Sequence, residues 1–401
     1  MTMTNPADLS RRAFLKGSTT ALLGASFLGG LPITRAHAAA AAARSNAAWS
    51  FGLLGDLHYD LWEHHDMDWV KREKPNDIRQ IEGYVRFTTE ILPHLGTELR
   101  DVIAATPNDV DYVINIGDFV EGLCGSYELQ VKQFEDALDW VRESQWGAPY
   151  LITKGNHDIT GPGADEAFDD CMLPFMSEQV GRQLDSANFV VEHKNALFVY
   201  LDCYDRRQIL PWLSETLEKH TGQHEHIFVV THQPVVPYHA RANWTVFGHP
   251  NQADDRKQFL DLLGKHHVIA LTGHLHRYGF VRRRTDTGHF IELAVNSIVR
   301  SPDSRPRQVW EGVSEYGPDI VTLEPRFSPD TEEMRREILA NEQPHIEHFE
   351  CGNVEGYGMV HVDGSQVSAD LYYGLGKNHW RTLDLTAVLH AKGPTPFDVT
   401  T

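Results

Sequence analysis

Five short segments of this chain carry side chains of the types that bind metals or transfer protons. The segments are Asp56-Leu57-His58, Gly117-Asp118, Gly155-Asn156-His157-Asp158, Thr231-His232 and Gly273-His274-Leu275-His276. Pooled, their carboxylates, amide and imidazoles are too polar to be buried together unless cations coordinate and neutralise them. They also exceed what one ion would accept, so the residue types predict more than one metal ion.

The chemistry of the ligands narrows the choice of metal and of reaction. Mixed nitrogen and oxygen ligation suits Mn, Fe, Zn or Co rather than Ca or Cu(I). Two ions that share a carboxylate lie roughly 3.5–4 Å apart, a spacing that clamps a phosphoryl group together with its attacking oxygen. Each segment alone is weak, because a single histidine at a strand end is more often a hydrogen-bonded structural residue. The elements that position the segments therefore decide whether they form a site.

Each polar segment follows an apolar run that is typical of a buried β-strand. The five runs are Trp49–Leu54, Tyr112–Ile116, Tyr150–Thr153, Ile227–Thr231 and Val268–Leu271. Ligands of open α/β sheets bind where the carboxyl ends of strands and their loops converge. Glycine precedes the polar group in four of the five segments, as expected where backbones approach closely. The pattern predicts one site built from five strand ends.

The remaining periodicity predicts an α/β fold, because short β-branched runs alternate with amphipathic helices. Further strands are expected at Phe189–Val191, Ala196–Leu201 and Phe290–Ala294, with a hairpin at Gly358–Val362 and Val367–Tyr372. Helices are expected at Asp77–Ile91, Leu95–Ala105, Tyr127–Glu143, Trp212–Lys219 and Gln252–Lys265. The Pro-, Arg- and acid-rich region 302–342 is interpreted as an extended excursion before the closing strands.

The five segments, in this order, resemble the full motif set of the calcineurin-like metallophosphoesterases, over roughly Phe51 to Arg277. The resemblance implies a four-layer α/β/β/α sandwich of two mixed sheets with a dinuclear metal site at the strand carboxyl edge. It implies two divalent metal ions, Mn, Fe, Zn or Co. It further implies a first metal held by Asp56, His58 and His276, a bridging Asp118, and a second metal held by Asn156, His232 and His274. His157 would stay unligated as the acid, and Asp158 would orient it.

The implied reaction is hydrolysis of a small phosphorylated substrate by a metal-activated water. Arg277 is the only cationic residue beside a motif, and a monoester dianion favours extra cationic contacts, so phosphodiesters are slightly preferred and phosphomonoesters remain an alternative. Candidate substrate contacts are Asn156, Tyr59, His239 and Arg277. A non-catalytic metal-binding or scaffolding protein is the alternative from another class, but such proteins usually lack a ligand or the acid, and all are present here.

One departure from the purple acid phosphatase branch bears on the metal. That branch has Asp-x-Gly where this chain has Asp56-Leu57-His58, and a tyrosine ligand where this chain has Glu121. Without the phenolate, an Fe(III) charge-transfer centre is not expected.

The charge balance excludes other classes of partner. The chain has 36 Lys and Arg against 56 Asp and Glu, a net charge of −20. No surplus of cations exists to neutralise nucleic-acid phosphates or an anionic membrane, which disfavours a nuclease of the same superfamily.

The N-terminus predicts export. Ser10 to Lys16 reads SRRAFLK, a twin-arginine pattern, followed by a short apolar stretch and the small-residue cleavage pattern Ala36-His37-Ala38. Residues 1–38 are expected to be a removed signal peptide recognised by the twin-arginine export machinery, without a stable membrane anchor, so that the protein is periplasmic or secreted. Residues 39–47 would form a flexible tail, 48–300 the catalytic core, and 301–401 an extension of the same domain. One or two disulfides among the four cysteines are open.

Overall fold

The computed structural model describes residues 48–394, in which fourteen strands form two sheets. The predicted signal peptide and tail, residues 1–47, lie outside the described residues. The strands are β1 (Trp49–Leu54), β2 (Asp109–Asn115), β3 (Tyr150–Ile152), β4 (Phe189–His193), β5 (Ala196–Leu201), β6 (His226–Thr231), β7 (Ile269–Thr272), β8 (Tyr278–Arg284), β9 (His289–Ala294), β10 (Arg307–Glu311), β11 (Ile346–Asn353), β12 (Gly356–Asp363), β13 (Gln366–Tyr373) and β14 (Asn378–Asp384). The α-helices are α1 (Met67–Glu73), α2 (Ile78–Glu90), α3 (Leu92–Ala105), α4 (Tyr127–Ser144), α5 (Ala164–Val180), α6 (Ile209–Lys219), α7 (Ala253–Lys265), α8 (Pro329–Glu342) and α9 (Leu385–Leu389).

Both sheets mix parallel and antiparallel pairs. The first has the order β14-β13-β12-β1-β2-β3, and the second has the order β10-β11-β8-β9-β7-β6-β5-β4. In the first sheet β1, β2 and β3 are parallel, whereas β12 runs antiparallel to β1. In the second, β5, β6, β7 and β9 are parallel, and antiparallel strands flank them on both sides. The predicted architecture of two mixed sheets is confirmed.

Alternate residues of β5 show how the sheets pack. Phe198 belongs to the core between the sheets, where its ring centroid lies 5.4 Å from that of Phe51 on β1 and 4.9 Å from that of Phe228 on β6. Its neighbours Leu197 and Val199 belong to the second core cluster, which contains apolar residues of α6 and α7. Because strand side chains alternate between faces, the second sheet lies between the first sheet and these helices.

The outer face of the first sheet is covered by helix α3. A Cβ at Gly52 of β1 would lie 3.5 Å from the Leu99 side chain of α3, on the face opposite Phe51. Helices therefore pack outside both sheets, which gives the four layers.

Contrary to the prediction, residues 302–342 are not extended throughout. This region contains β10 and the fourteen-residue helix α8. Ser328 caps α8 by accepting a hydrogen bond from the backbone N–H of Thr331, and Pro329 occupies the first turn. The buried face of α8 carries Arg335 and Glu342 beside Leu339, so its periodicity is only partly hydrophobic and does not indicate a helix.

Glu342 shows how charges are accommodated on that face. Its carboxylate accepts hydrogen bonds from Arg283 of β8 at 2.6 Å and from Arg256 of α7 at 2.9 Å. Burial opposes its ionisation, but the two guanidinium groups outweigh burial and lower the pKa of Glu342 to about 2. Paired charges inside the fold also explain why β8, which ends in three arginines, was not predicted as a strand.

Two further features were not settled by the sequence. Helix α5 was not predicted because Pro174 interrupts its pattern, although Gly163 and Gly181, with φ of 72° and 71°, mark its two ends. The four cysteines, including Cys171 on α5, are all free thiols.

Candidate metal centre

The polar turns after β1, β2, β3, β6 and β7 lie together, as the strand pattern predicts. An unusual backbone supports them, because five candidate ligands adopt left-handed φ values: Asp56 (55°), His58 (45°), Asp118 (49°), His274 (71°) and His276 (51°). Such conformations cost on the order of 1–3 kcal/mol each and persist where the surroundings enforce them. Concentration of this strain in one set of turns marks a functional site.

Glycines allow these turns to approach one another. A Cβ at Gly155 would lie 2.1 Å from the backbone nitrogen of Asp118, and one at Gly117 would lie 2.5 Å from Nδ1 of His232. Neither contact is sterically allowed, so the glycines that precede the polar residues are required for convergence, as the sequence predicts.

The ligand atoms fall into two groups that share one carboxylate. Within each group the candidate atoms lie within 4.8 Å of one another. The first group is Asp56, His58, Asp118 and His276, and the second is Asp118, His232 and His274.

Distances place Asp118 between two pairs of facing imidazoles. Nε2 of His58 lies 3.0 Å from Nε2 of His276, and Nε2 of His232 lies 3.2 Å from Nδ1 of His274. Oδ2 of Asp118 lies 3.5 Å from the His58 nitrogen and 3.1 Å from the His232 nitrogen. The shared carboxylate is thus positioned to contact ions in both groups.

Hydrogen bonds behind the imidazoles fix their tautomers. Nδ1 of His58 donates to Oε2 of Glu121 at 2.7 Å, and Nδ1 of His232 donates to the carbonyl oxygen of Ile116 at 2.9 Å. The Nε2 atoms are therefore the ring nitrogens directed towards Asp118, as in metal-ligating histidines. Oδ2 of Asp56 is buried and has no hydrogen-bond partner among the described residues. An orphaned carboxylate oxygen beside facing imidazole nitrogens fits a divalent cation.

The pKa values of the Asp56 and Asp118 carboxylates shift in opposite directions. Burial, reinforced by the charge of Asp118, raises the pKa of Asp56 to about 7. Burial also opposes ionisation of Asp118, but His232 and His157 outweigh it and hold the Asp118 pKa well below its usual value. Burial lowers the pKa of His274 to about 3, so this imidazole is neutral and able to ligate.

His157 is held by Glu121 and not by its sequence neighbour. Its Nδ1 donates to the carbonyl oxygen of Glu121 at 2.9 Å and lies 3.1 Å from Oε2 of the same residue. The prediction that Asp158 orients His157 needs correction. Asp158 instead accepts hydrogen bonds from the backbone N–H groups of Val120 at 3.0 Å and Gly155 at 2.8 Å, which fastens the turn.

Glu121 is the principal site residue that sequence reasoning missed. It is fully buried, and its second oxygen accepts a hydrogen bond from Nε2 of Gln80 at 2.8 Å. Although its burial opposes ionisation, the nearby imidazoles of His157 and His58 lower the Glu121 pKa to about 2. Its position three residues after Asp118 was available in the sequence, but its contact with two histidines depends on the fold.

A cavity of about 410 Å³ opens beside these residues. It is lined by site residues and by side chains outside the motifs: Gln80, Tyr84, Asp118, Asn156, His157, Arg206, Gln233, Arg241, Asn243, Trp244, Thr245, His249, His274, His276 and Arg326. Of the predicted substrate contacts only Asn156 is in this lining.

The other three predicted contacts are corrected by their positions. Tyr59 packs against the core cluster that contains Phe198, and its backbone forms an isolated β-bridge with Val120. His239 is largely enclosed near Arg277, and burial lowers its pKa to about 3. Nη1 of Arg277 is itself buried without a hydrogen-bond partner in the described chain. Proximity to a motif in sequence did not bring these side chains to the cavity.

Aromatic rings outside the motifs pack against the ligands. Tyr84 of α2 stacks on His58 with ring centroids 4.2 Å apart and an interplanar angle of 4°. The Trp244 ring lies 5.5 Å from that of His274, and the guanidinium of Arg241 lies 4.5 Å above Trp244. These contacts fix the ring positions, and no spacing rule in the sequence indicates them.

Comparison with known proteins decides the family. Residues 50–278, more than half of the chain, match the calcineurin-like phosphoesterases. This chain belongs to the calcineurin-like phosphoesterase family. The residue types of the centre and the family together support metal-dependent hydrolysis of phosphoesters, and the chain is a phosphoesterase.

Solved structures are similar to this chain at low sequence identity. A purple acid phosphatase from seeds of yellow lupin (Lupinus luteus) is similar with a TM-score of 0.51 and 12% identity, covering 88% of this chain. This phosphoesterase spans 57% of the length of the lupin chain. A dimetal phosphatase from Danio rerio gives a TM-score of 0.48 and 13% identity, with 85% of this chain and 99% of that chain covered. No curated protein sequence matches this phosphoesterase.

Proposed function

We propose that this phosphoesterase hydrolyses phosphate monoesters at a centre that binds two divalent metal ions. The observation that carries the proposal is the lining of the cavity beside the centre, which includes Arg206, Arg241 and Arg326. The preference for diesters rested on Arg277 as the only nearby cation, and that premise does not hold. A monoester carries one more negative charge than a diester, so a cationic cavity favours it.

The charges of this cavity do not cancel. Arg241 donates to Glu324 through Nε at 3.1 Å, and Arg326 donates to the same carboxylate at 3.3 Å. Arg206 is exposed and makes no hydrogen bond or ion pair to the described residues. Apart from the metal ligand Asp118, one carboxylate is set against three guanidinium groups, and Arg206 is the group free to contact a phosphate bidentately.

The ligand roles follow the two groups of the centre. Asp56, His58 and His276 would hold one ion, and Asp118 would contact both. The second ion would be held by His232, His274 and Asn156. The bound ions would supply Lewis acidity, which polarises the phosphoryl oxygens and lowers the pKa of the attacking water.

His157 is proposed as the acid that protonates the leaving oxygen. Its Nδ1 donates to Glu121, so the ring proton available for transfer is the one on Nε2, and the side chain lines the cavity. As the attacking water bonds to phosphorus, the ester P–O bond breaks and the leaving oxygen takes this proton. Acid catalysis of this kind contributes on the order of 10²–10⁴ in rate.

The acid role is tested with His157→Asn. We expect a fall in kcat, larger for an alkyl phosphate than for p-nitrophenyl phosphate, whose leaving group needs little protonation. Metal content measured by mass spectrometry should stay unchanged. Loss of bound metal in this variant would assign His157 as a ligand and overturn the proposal.

The substrate class is tested by comparing p-nitrophenyl phosphate with bis(p-nitrophenyl) phosphate, at saturating Mn, Fe(II), Zn or Co. Arg206→Gln should lower kcat/KM for the monoester on the order of tenfold, as expected for losing one charged hydrogen bond, and affect the diester less. The control is Arg207→Gln, because this adjacent exposed arginine is not in the cavity lining. A wild-type preference for the diester, or equal losses on both esters, would reject the monoester proposal.

Export is proposed separately and rests on the N-terminal residues alone. The twin arginines Arg11 and Arg12 would direct the chain to the twin-arginine machinery and to a periplasmic or secreted location. No helix among residues 48–394 is long and apolar enough to cross a membrane. Replacing both arginines by lysine should hold the protein in the cytoplasm in cell fractionation. Unchanged fractionation would contradict the proposal.

A further inference from the structure

A second group of metal-ligand side chains lies away from the catalytic centre. It consists of His220, His224 and Glu192, here called the β4 histidine cluster. Glu192 lies on β4, the edge strand of the second sheet, His220 directly follows α6, and His224 lies in the turn before β6. One candidate ligand atom from each residue lies within 4.8 Å of the other two.

The imidazoles of this cluster are buried, and three of their ring nitrogens make no hydrogen bond among the described residues. His220 is 3% exposed, and its Nδ1 has no hydrogen-bond partner among the described residues. The side chain of His224 is 7% exposed, and neither of its ring nitrogens makes a hydrogen bond within residues 48–394. Buried polar atoms normally make hydrogen bonds, so three ring nitrogens without one in two neighbouring imidazoles require an explanation.

The arrangement of the cluster suits a cation. Nε2 of His224 lies 3.4 Å from Oε2 of Glu192, and the two imidazole ring centroids are 5.7 Å apart. Ligands at about 2.0–2.1 Å from a tetrahedral zinc ion are separated by roughly 3.4 Å.

We propose that His220, His224 and Glu192 bind a divalent transition-metal ion of the zinc type, at a site separate from the catalytic centre. Two imidazoles and one carboxylate are ligands that zinc accepts, and the exposed Glu192 leaves a coordination position open to water.

Strand β6 separates this site from the catalytic centre. His224 precedes the strand and His232 follows it, so the eight residue steps from one to the other span roughly 25 Å at about 3.3 Å per residue. At that distance an ion cannot contact the substrate. Its effect is structural, because it links the end of α6 and the turn before β6 to the edge strand β4.

The proposal is tested by zinc titration of the full-length chain. Equilibrium dialysis of the wild type is expected to give one bound equivalent beyond those of the catalytic centre. Glu192→Gln changes an exposed side chain and is expected to fold normally. The dissociation constant of the additional zinc ion should rise by at least roughly 10- to 100-fold. That is the loss of metal affinity expected when only a residue that hydrogen-bonds a metal ligand is changed. The rate of p-nitrophenyl phosphate hydrolysis should not change.

A second background isolates the site. In Asp118→Ala, which disables the shared catalytic ligand, zinc should still raise the melting temperature, and the rise should disappear when His224→Gln is added. His94→Gln is the control, because His94 is an exposed histidine on α3 and not part of the cluster. Equal zinc binding by the wild type and Glu192→Gln would overturn the proposal, and so would a melting temperature that zinc raises equally with and without His224. Neither result depends on hydrolysis, so the proposed function is judged separately.

Discussion

Replacing Glu121 by glutamine tests how the centre is held. The carboxylate accepts from His58 Nδ1 at 2.7 Å and lies 3.1 Å from His157 Nδ1. Glutamine keeps the shape but removes the charge. A hydrogen bond to a buried charged group contributes about 1.5–3 kcal/mol and a neutral one about 0.5–1.5 kcal/mol. If the hydrogen bond from His58 to residue 121 becomes weaker by about 1–2 kcal/mol, metal binding should weaken by roughly 5- to 30-fold, at 1.36 kcal/mol per factor of ten.

Two measurements distinguish the effect of the substitution on His58 from its effect on His157. Metal affinity reports on His58, and it is measured by activity against metal concentration. At saturating metal the remaining defect reports on His157. We expect it to be small for p-nitrophenyl phosphate and larger, by a further factor on the order of 10, for an alkyl phosphate that needs a protonated leaving group.

The matched comparison is Asp158→Asn. Its carboxylate accepts from two backbone N–H groups, so the amide should lower the melting temperature without changing the dependence on the leaving group. If Asp158→Asn showed the leaving-group dependence and Glu121→Gln did not, the assignment of Glu121 as the partner of His157 would be refuted.

Three further changes test the fold around the centre. Gly155→Ala should abolish metal binding while the chain stays folded, because the new Cβ would lie 2.2 Å from Oδ1 of Asp118; full metal content by mass spectrometry would contradict this. Phe198→Ala should cost about 3–5 kcal/mol in urea unfolding, since the ring is 1% exposed between the sheets, and a cost below about 1 kcal/mol would show that the core is looser than described. Glu342 has a folded-state pKa of about 2 against 4.5 for the unfolded group, so its ionisation contributes about 3 kcal/mol above pH 4.5, which is lost as the pH falls through 2. The stability difference between the wild type and Glu342→Gln should therefore shrink between pH 5 and pH 2, and a constant difference would rule out this linkage.

The sequence predicted the parts of the fold in which local pattern and burial agree. Strands β1 and β5 are apolar at every buried position apart from Ser50 and Gly52, and their predicted bounds match the structure. Helix α8 and strand β8 were missed because they bury arginines and glutamates that only a partner distant in sequence can neutralise. For the same reason, neither the sequence of β8 nor that of α8 predicts the pairing of Arg283 with Glu342.

The site residues also fall into those that local sequence pattern predicts and those that only the fold brings together. The turns carrying Asp56, Asp118 and Asn156 were predicted because each follows a strand whose carboxyl end must lie at one sheet edge. Glu121 and Arg206 were not identified as site residues, since a loop residue has no periodicity that indicates which histidine or cavity it will contact. The assignment to Asp158 assumed that neighbours in sequence are neighbours in space.

The antiparallel pairing of β1 with β12 has a consequence for biosynthesis. Trp49 pairs with Val362, so the strand that leads to Asp56 receives its second neighbour only after about 310 further residues have been translated. At roughly 5–20 residues per second, this interval is about 15–60 s. Every candidate ligand has been synthesised by His276, yet a chain arrested before β12 would leave one edge of β1 open. A ribosome that stalls there would therefore release a nascent chain with a complete set of ligands and an unprotected strand, exposed to proteases and to aggregation.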